Sequence, residues 1–147
     1  MDGILIRALS PEDEHELISL DKTYAAAHKL EPVLSRASLN FYGRTGHSFA
    51  SLKANSHTGF VLAQSIWNGQ RPVVLIARLA VAAEDESSRI ALIEAVTKSA
   101  YDAAVYDLLV LQPASDSAGA SSFKHSDYRE TSVQLFERIL GSRGQGG

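Results

Sequence analysis

PVVLIARLAVA (residues 72–82), DESSRIALIEAVTKSAYDAA (85–104) and DLLVLQP (107–113) follow one another almost without interruption, and this stretch decides the fold. The first is an apolar, β-branched run of strand length bounded by a proline, and the third repeats that character after a short connection. Between them lies a helix that is apolar or small almost all round. Ile90, Ile93, Val96, Ala100 and Ala104 fall on one side, with Ala91, Leu92, Ala95, Ser99 and Ala103 beside them. Such a helix lies pressed against a sheet, and Arg89, Glu94 and Lys98 mark its narrow wet face. Strand, helix and strand in this order make a βαβ-like unit that covers one face of a sheet.

Working outward, the turn Asn68, Gly69, Gln70 reverses the chain just before Pro72, so GFVLAQSIW (59–67) and SFASLK (48–53) read as a meander of antiparallel strands. In the longer one Phe60, Leu62, Gln64 and Ile66 share one face, and Val61, Ala63, Ser65 and Trp67 the other. At the N-terminus Ile4, Ile6 and Ala8 alternate with Leu5, Arg7 and Leu9 as a first strand. Ser10 then reads as an N-cap, Pro11 sits where a missing N–H costs nothing, and Glu12, Asp13 and Glu14 suit the positive end of a helix dipole. That helix is predicted to bury Leu17, Ile18, Leu20, Tyr24 and Ala27. Pro32 breaks the chain. Ser35 or Ser38 caps a second helix running through Leu39, Phe41 and Tyr42 to about Arg44, with Gly46 at its left-handed end.

At 147 residues the chain has the size of one compact domain. Residues 1–140 are read as that domain and GSRGQGG (141–147) as a frayed tail. The absence of cysteine excludes disulfides, thiolate zinc sites and a cysteine nucleophile. A net charge of -3 without a basic block points away from nucleic acid. No apolar run spans a bilayer and MDGILIRALSPEDE lacks the form of a leader, so no membrane is expected and the expected setting is cytoplasmic. The segment YRETSVQLFERIL (128–140) is long enough to pair across a homo-oligomer.

RTGHSF (44–49), GFVLAQSIWNG (59–69), KSAYDAAVY (98–106) and LGSRG (140–144) resemble a small bacterial family of unknown function that shares the GNAT-type N-acetyltransferase scaffold. The second half of the chain resembles the GNAT superfamily itself at the level of fold. The resemblance implies an α/β (α+β) domain: a mixed, mostly antiparallel sheet of six or seven strands with helices on both faces. The sheet would be splayed between the strand ending near Ala82 and the one starting at Asp107. It also implies an acetyl-CoA groove in that gap, formed by Leu79, Ala80 and Val81 of the strand, Ser87, Ser88 and Arg89 at the helix start, and Phe123.

Two departures bear on chemistry. GNAT enzymes carry (Arg/Gln)-x-x-Gly-x-(Gly/Ala) at the helix N-terminus, where free N–H groups and the dipole hold the CoA pyrophosphate. Here AAEDESSR (82–89) has no glycine and three acids. Each carboxylate within ~5 Å of a phosphate costs ~1 kcal/mol in water and ~3 in a partly desolvated groove, so acetyl-CoA binding is expected to be weak or absent. Asp85 reads equally well as a helix cap, with Glu86 complementing the dipole. In the second motif, Asn-x-x-Ala-x-x-x-Tyr-x-x-x-Gly-Phe, the tyrosine protonates the leaving thiolate. The matching residues are Asp116, Gly119, Phe123, Asp127 and Tyr128, so the acid would pass to water, Tyr101 or Tyr106.

His47 borders the acceptor groove in the scaffold and is the candidate general base. Its other reading is a ring that caps the preceding helix. His125 and Asp127 share a strand face if the chain is extended there, but a metal site needs a third ligand and no metal is expected. Two functions remain open: an acyl-CoA-dependent N-acyltransferase acting on an unidentified amine, and a non-catalytic GNAT-derived domain binding a small molecule or a protein.

Overall fold

The structure is a computed structural model and describes residues 3–141. Apart from Gly141, the tail expected at 141–147 lies outside them. Strands β1 (Ile4–Ala8), β2 (Phe49–Lys53), β3 (Ser56–Trp67), β4 (Pro72–Val81) and β5 (Leu108–Val110) form one sheet in that spatial order. The first three pairings are antiparallel, and β4 with β5 is parallel. The expected six or seven strands are therefore five among the described residues. The difference lies after residue 128, where the C-terminal segment has no regular structure and adds no strand to the sheet among the described residues.

Alternation along β3 sorts the core as read from the sequence. Val61 and Ala63 face a layer containing Val74, Ile76, Leu79, Leu92, Ile93, Val96 and Ala100, which packs helix α3 (Glu86–Asp102) against the sheet. Phe60 and Leu62 face the opposite layer, with Leu17 of α1 (Glu14–Ala27) and Leu39 of α2 (Arg36–Tyr42). Phe60, Leu17, Leu39, Leu62, Ile76, Leu92 and Ile93 are fully buried, each stabilising by ~1.5–3 kcal/mol relative to exposure. Glu94 and Lys98 are exposed as expected, and Ile90 is half-buried. Arg89, expected on the wet face, is buried instead. A fourth helix, α4 (Ser117–His125), forms, so His125 and Asp127 do not share a strand face. Asp116 caps it through Gly119 N–H at 2.9 Å, and Asp127 turns left-handed beyond it (φ 69°).

β4 carries the irregularity that positions the site. Its register against β3 skips between Leu62 and Ala63, leaving Ala77 as an extra residue. Such a bulge reverses the phase of the strand. Ala77 and Ala80 pack toward the α1 layer, and Leu79 and Val81 toward α3. The last bond to the β5 side is Leu111 N–H to Ile76 O, at 2.9 Å. Beyond it β4 runs on to Val81 still paired with β3 but with no strand on its β5 side among the described residues, and the sheet splays there.

Candidate functional site: the cleft between β4, α1 and α4

The splay opens into a cleft of about 730 Å³, lined by Leu79 and Val81 of β4, the turn Ala82, Ala83, Glu84, one face of α1, Arg89, and residues 115–118. Past the bulge, alternation turns the main-chain N–H groups of Leu79 and Val81 toward the gap.

The α1 wall is fixed by charge. Asp21, fully buried, accepts from Arg78 at 2.8 Å and from the N–H groups of Val33 and Leu34 at 2.6 and 2.9 Å, so it ties α1 both to β4 and to the chain entering α2. At the helix start Asp13, expected only to cap, takes two bonds from Arg7 (3.0 and 2.6 Å), one from Ser10 N–H and one from His57 Nε2 at 2.8 Å. Burial alone raises its carboxyl, but these donors more than reverse that and hold it below the ordinary value.

Across the cleft, Tyr24 donates its hydroxyl proton to Asp116 at 2.7 Å, and His28 bonds Ser115 at 2.6 Å. Burial, then the Asp116 bond and charge, push the Tyr24 phenol far up. Asp116 is correspondingly lowered, the bonds from Tyr24 and Gly119 N–H outweighing burial. Tyr24 is the one tyrosine lining the cleft among the described residues, and its proton is already committed.

At the N-terminus of α3 Asp85 accepts from Ser88 N–H at 3.1 Å and is bridged by Lys53 at 2.9 Å. The capping reading of Asp85 thus holds. Burial alone raises its carboxyl, and the bonds from Lys53, Ser88 and Ser87 reverse this and hold it at about 2. Ala83 and Glu84 before it adopt left-handed φ of 44° and 58°, a conformation glycine takes more readily.

Of the sequence-predicted cofactor residues, Leu79, Val81 and Arg89 line the cleft. Ala80 is buried toward the α1 layer, Ser87 bonds Lys53 and Asp85, and Ser88 is fully buried against Thr58 at 2.8 Å. Phe123 packs in the α3–α4 core with its ring 5.1 Å from Tyr128. His47 lies outside the cleft. It is buried, its Nδ1 is 2.8 Å from Ser99 Oγ, and burial lowers its pKa. The ring does not cap α2 either: that helix ends with Gly43 as its C-cap, and Thr45 Oγ1 donates to Tyr42 O at 3.0 Å. Gly46 is left-handed (φ 78°) but lies beyond the cap. Tyr101 and Tyr106 are 70% exposed and pair with each other, outside the cleft. Among the described residues no group of three or more His, Asp or Glu could hold a metal.

Residues 31–145 match the family described as protein of unknown function (DUF1999). The chain belongs to the DUF1999 family. The wild-type crystal structure of TTHA1254 from Thermus thermophilus is 30% identical, with a TM-score of 0.80 over 95% of this chain and 99% of that one. The aminoglycoside N-acetyltransferase AAC(6')-Iy, solved in complex with CoA, is 17% identical with a TM-score of 0.73 over 95% of this chain and 96% of its own. A ribosomal-protein-alanine N-acetyltransferase from Brucella melitensis is 16% identical with a TM-score of 0.69, over 96% and 100%. At these identities the acetyltransferases share the fold alone, and that fold is GNAT. No curated protein matches the DUF1999 chain.

Proposed function

We propose that this DUF1999 chain is a GNAT-derived domain that binds a small carboxylate- or phosphate-bearing molecule in the cleft and transfers no acyl group from CoA. The observation that carries the reading is Arg89. It is 7% exposed, and the one hydrogen bond its guanidinium makes among the described residues is a long 3.5 Å contact to Ser122 Oγ, with no carboxylate in ion-pairing distance. Among the described residues every deeply buried side-chain polar atom has a partner, so the remaining Arg89 N–H groups open into the cleft. A buried guanidinium without a counter-charge is costly, and an anion from outside offsets that cost. The seat a CoA pyrophosphate would take at the start of α3 is meanwhile filled by the Asp85 carboxylate on Ser88 N–H. The cleft phenol is held as a hydrogen-bond donor to Asp116 and His47 lies elsewhere, so neither a general acid nor a base is poised for transfer. We place the domain in the cytoplasm on the same reading.

The second reading, an acyl-CoA-dependent N-acyltransferase acting on an amine, is favoured by the bulge at Ala77. The N–H groups it turns into the gap suit a thioester carbonyl. Acetate and inorganic phosphate, titrated while backbone amide NMR shifts are followed, test the first reading. Shifts clustered at residues 79–89 and 115–118 that vanish in Arg89→Met support it. Shifts scattered over the surface, or unchanged by that substitution, remove it.

A further inference from the structure

Besides Arg89, the fold builds one more polar group into the cleft. Asp13 is 1% exposed and accepts from Arg7, from Ser10 N–H and, at 2.8 Å, from Nε2 of His57. Capping Ser10 takes Oδ2 of this carboxylate, and Oδ1 is left to hold the imidazole. A carboxylate held below its ordinary value is ionised at neutral pH and can only accept, so Nε2 is the nitrogen that carries the proton. In the neutral ring Nδ1 then presents a lone pair. His57 lines the cleft, and no group among the described residues donates to Nδ1. Every deeply buried side-chain polar atom there has a partner, so this unpartnered nitrogen is reached from the cleft.

The lining therefore offers groups of both kinds. Arg89 brings donors and charge from the α3 side, and the main-chain N–H groups of Leu79 and Val81 add donors from β4. His57 brings a neutral acceptor from the β3 side, and the hydroxyls of Ser19 and Ser117 can act either way. A ligand hydroxyl both donates and accepts, so it matches all of these. An ammonium cannot accept from an N–H, and a hydrocarbon does neither. Arg89 is also the one permanent cation among these lining residues, against the carboxylates of Glu16, Glu84 and Asp116, so the cleft suits a ligand with a single negative charge. At about 730 Å³ it has room for a molecule well beyond the size of acetate.

We propose that His57 is a second anchor of the cleft, and that the ligand is a polyhydroxylated monocarboxylate of the sugar-acid class, its carboxylate on Arg89 and one hydroxyl donating to His57 Nδ1. The assignment rests on the anion site proposed at Arg89 and names the chemistry of its ligand.

Gluconate and hexanoate are the probes, since they share chain length and charge and differ in their hydroxyls. Titrated into the full chain while backbone amide NMR shifts are followed, gluconate should bind about tenfold tighter than hexanoate. Its shifts should fall at residues 57, 79–89 and 115–118. His57→Phe leaves Asp13 its bonds from Arg7 and Ser10, and in that variant the preference for gluconate should fall severalfold. His57→Gln, whose amide can donate to Asp13 and still present an oxygen, should restore part of it. Arg89→Met should lose both acids. Equal affinities for gluconate and hexanoate, both dependent on Arg89, would overturn the assignment and leave the anion site standing. A preference unchanged in His57→Phe would overturn the role of His57, and tighter binding of glucose phosphate than of gluconate would overturn the carboxylate. If neither acid binds, the anion site itself falls and the assignment with it.

Discussion

Asp85 is where the account is most exposed to test. Its carboxylate caps Ser88 N–H at 3.1 Å and pairs with Lys53 at 2.9 Å, and its pKa is held at about 2 against a reference of 3.8. Holding it there corresponds to about 2 kcal/mol of stability at neutral pH. Asp85→Gly removes cap and charge together and should lower the thermal midpoint by ~4–8 °C for a domain of this size. Asp85→Asn keeps a capping oxygen, as asparagine caps about as well as aspartate, and should cost about half as much. Both variants should bind acetyl-CoA more tightly than the wild type, Asp85→Gly the more so, because asparagine still occupies Ser88 N–H. A unit charge removed ~5 Å from a phosphate is worth ~1–3 kcal/mol, a ~5- to ~150-fold gain, and Lys53 is freed in both. Thermal unfolding measures the first quantity and isothermal titration calorimetry the second. If both variants bind acetyl-CoA no more tightly than the wild type, Asp85 is not what fills the phosphate seat.

Three further outcomes follow from the geometry. Tyr24→Phe deprives Asp116 of its 2.7 Å donor and should cost ~1–2 kcal/mol in urea unfolding while speeding amide exchange in residues 115–118. His47 has its pKa lowered by burial, so its contribution to stability is fully present above the unfolded value of ~6.5 and is lost as pH falls through the folded one. Midpoints measured downward from pH 7 should show that loss, and His47→Ala should abolish it, cost ~1–3 kcal/mol and leave anion binding unchanged. Gly59→Ala would set a Cβ 2.8 Å from Val81 Cγ1 and 2.9 Å from Ala80 O. It should cost ~1–3 kcal/mol by denaturant titration.

How far the sequence is legible depends on the range of the interaction. The β4–α3–β5 unit reads directly because apolar periodicity is local, and so does the Asp85 cap, whose partner lies three residues on. α4 is hidden because SAGASSFKH offers Phe123 as its one large apolar residue and so no helical stripe, although Asp116 three residues before Gly119 was a cap signal in plain view. The cleft wall is hidden for a different reason. Asp21 with Arg78, Tyr24 with Asp116 and His47 with Ser99 are 57, 92 and 52 residues apart, and no spacing rule joins them. Arg89 reads as a wet-face residue because helical periodicity reports which side a residue is on. It cannot report that the splayed sheet leaves a cavity on that side.

The central claim is that the cleft takes a small anion and has lost acetyl-CoA as a substrate. Thermal unfolding of the wild type with and without about 1 mM acetyl-CoA tests it most directly. A dissociation constant near ~10 μM would add ~2.7 kcal/mol at that concentration, which is roughly 6–11 °C in the midpoint. The account predicts a shift below about 2 °C. A shift above about 6 °C would contradict it, because the free N–H groups of β4 and Arg89 would then outweigh the carboxylates at the start of α3, and the acyltransferase reading would replace it.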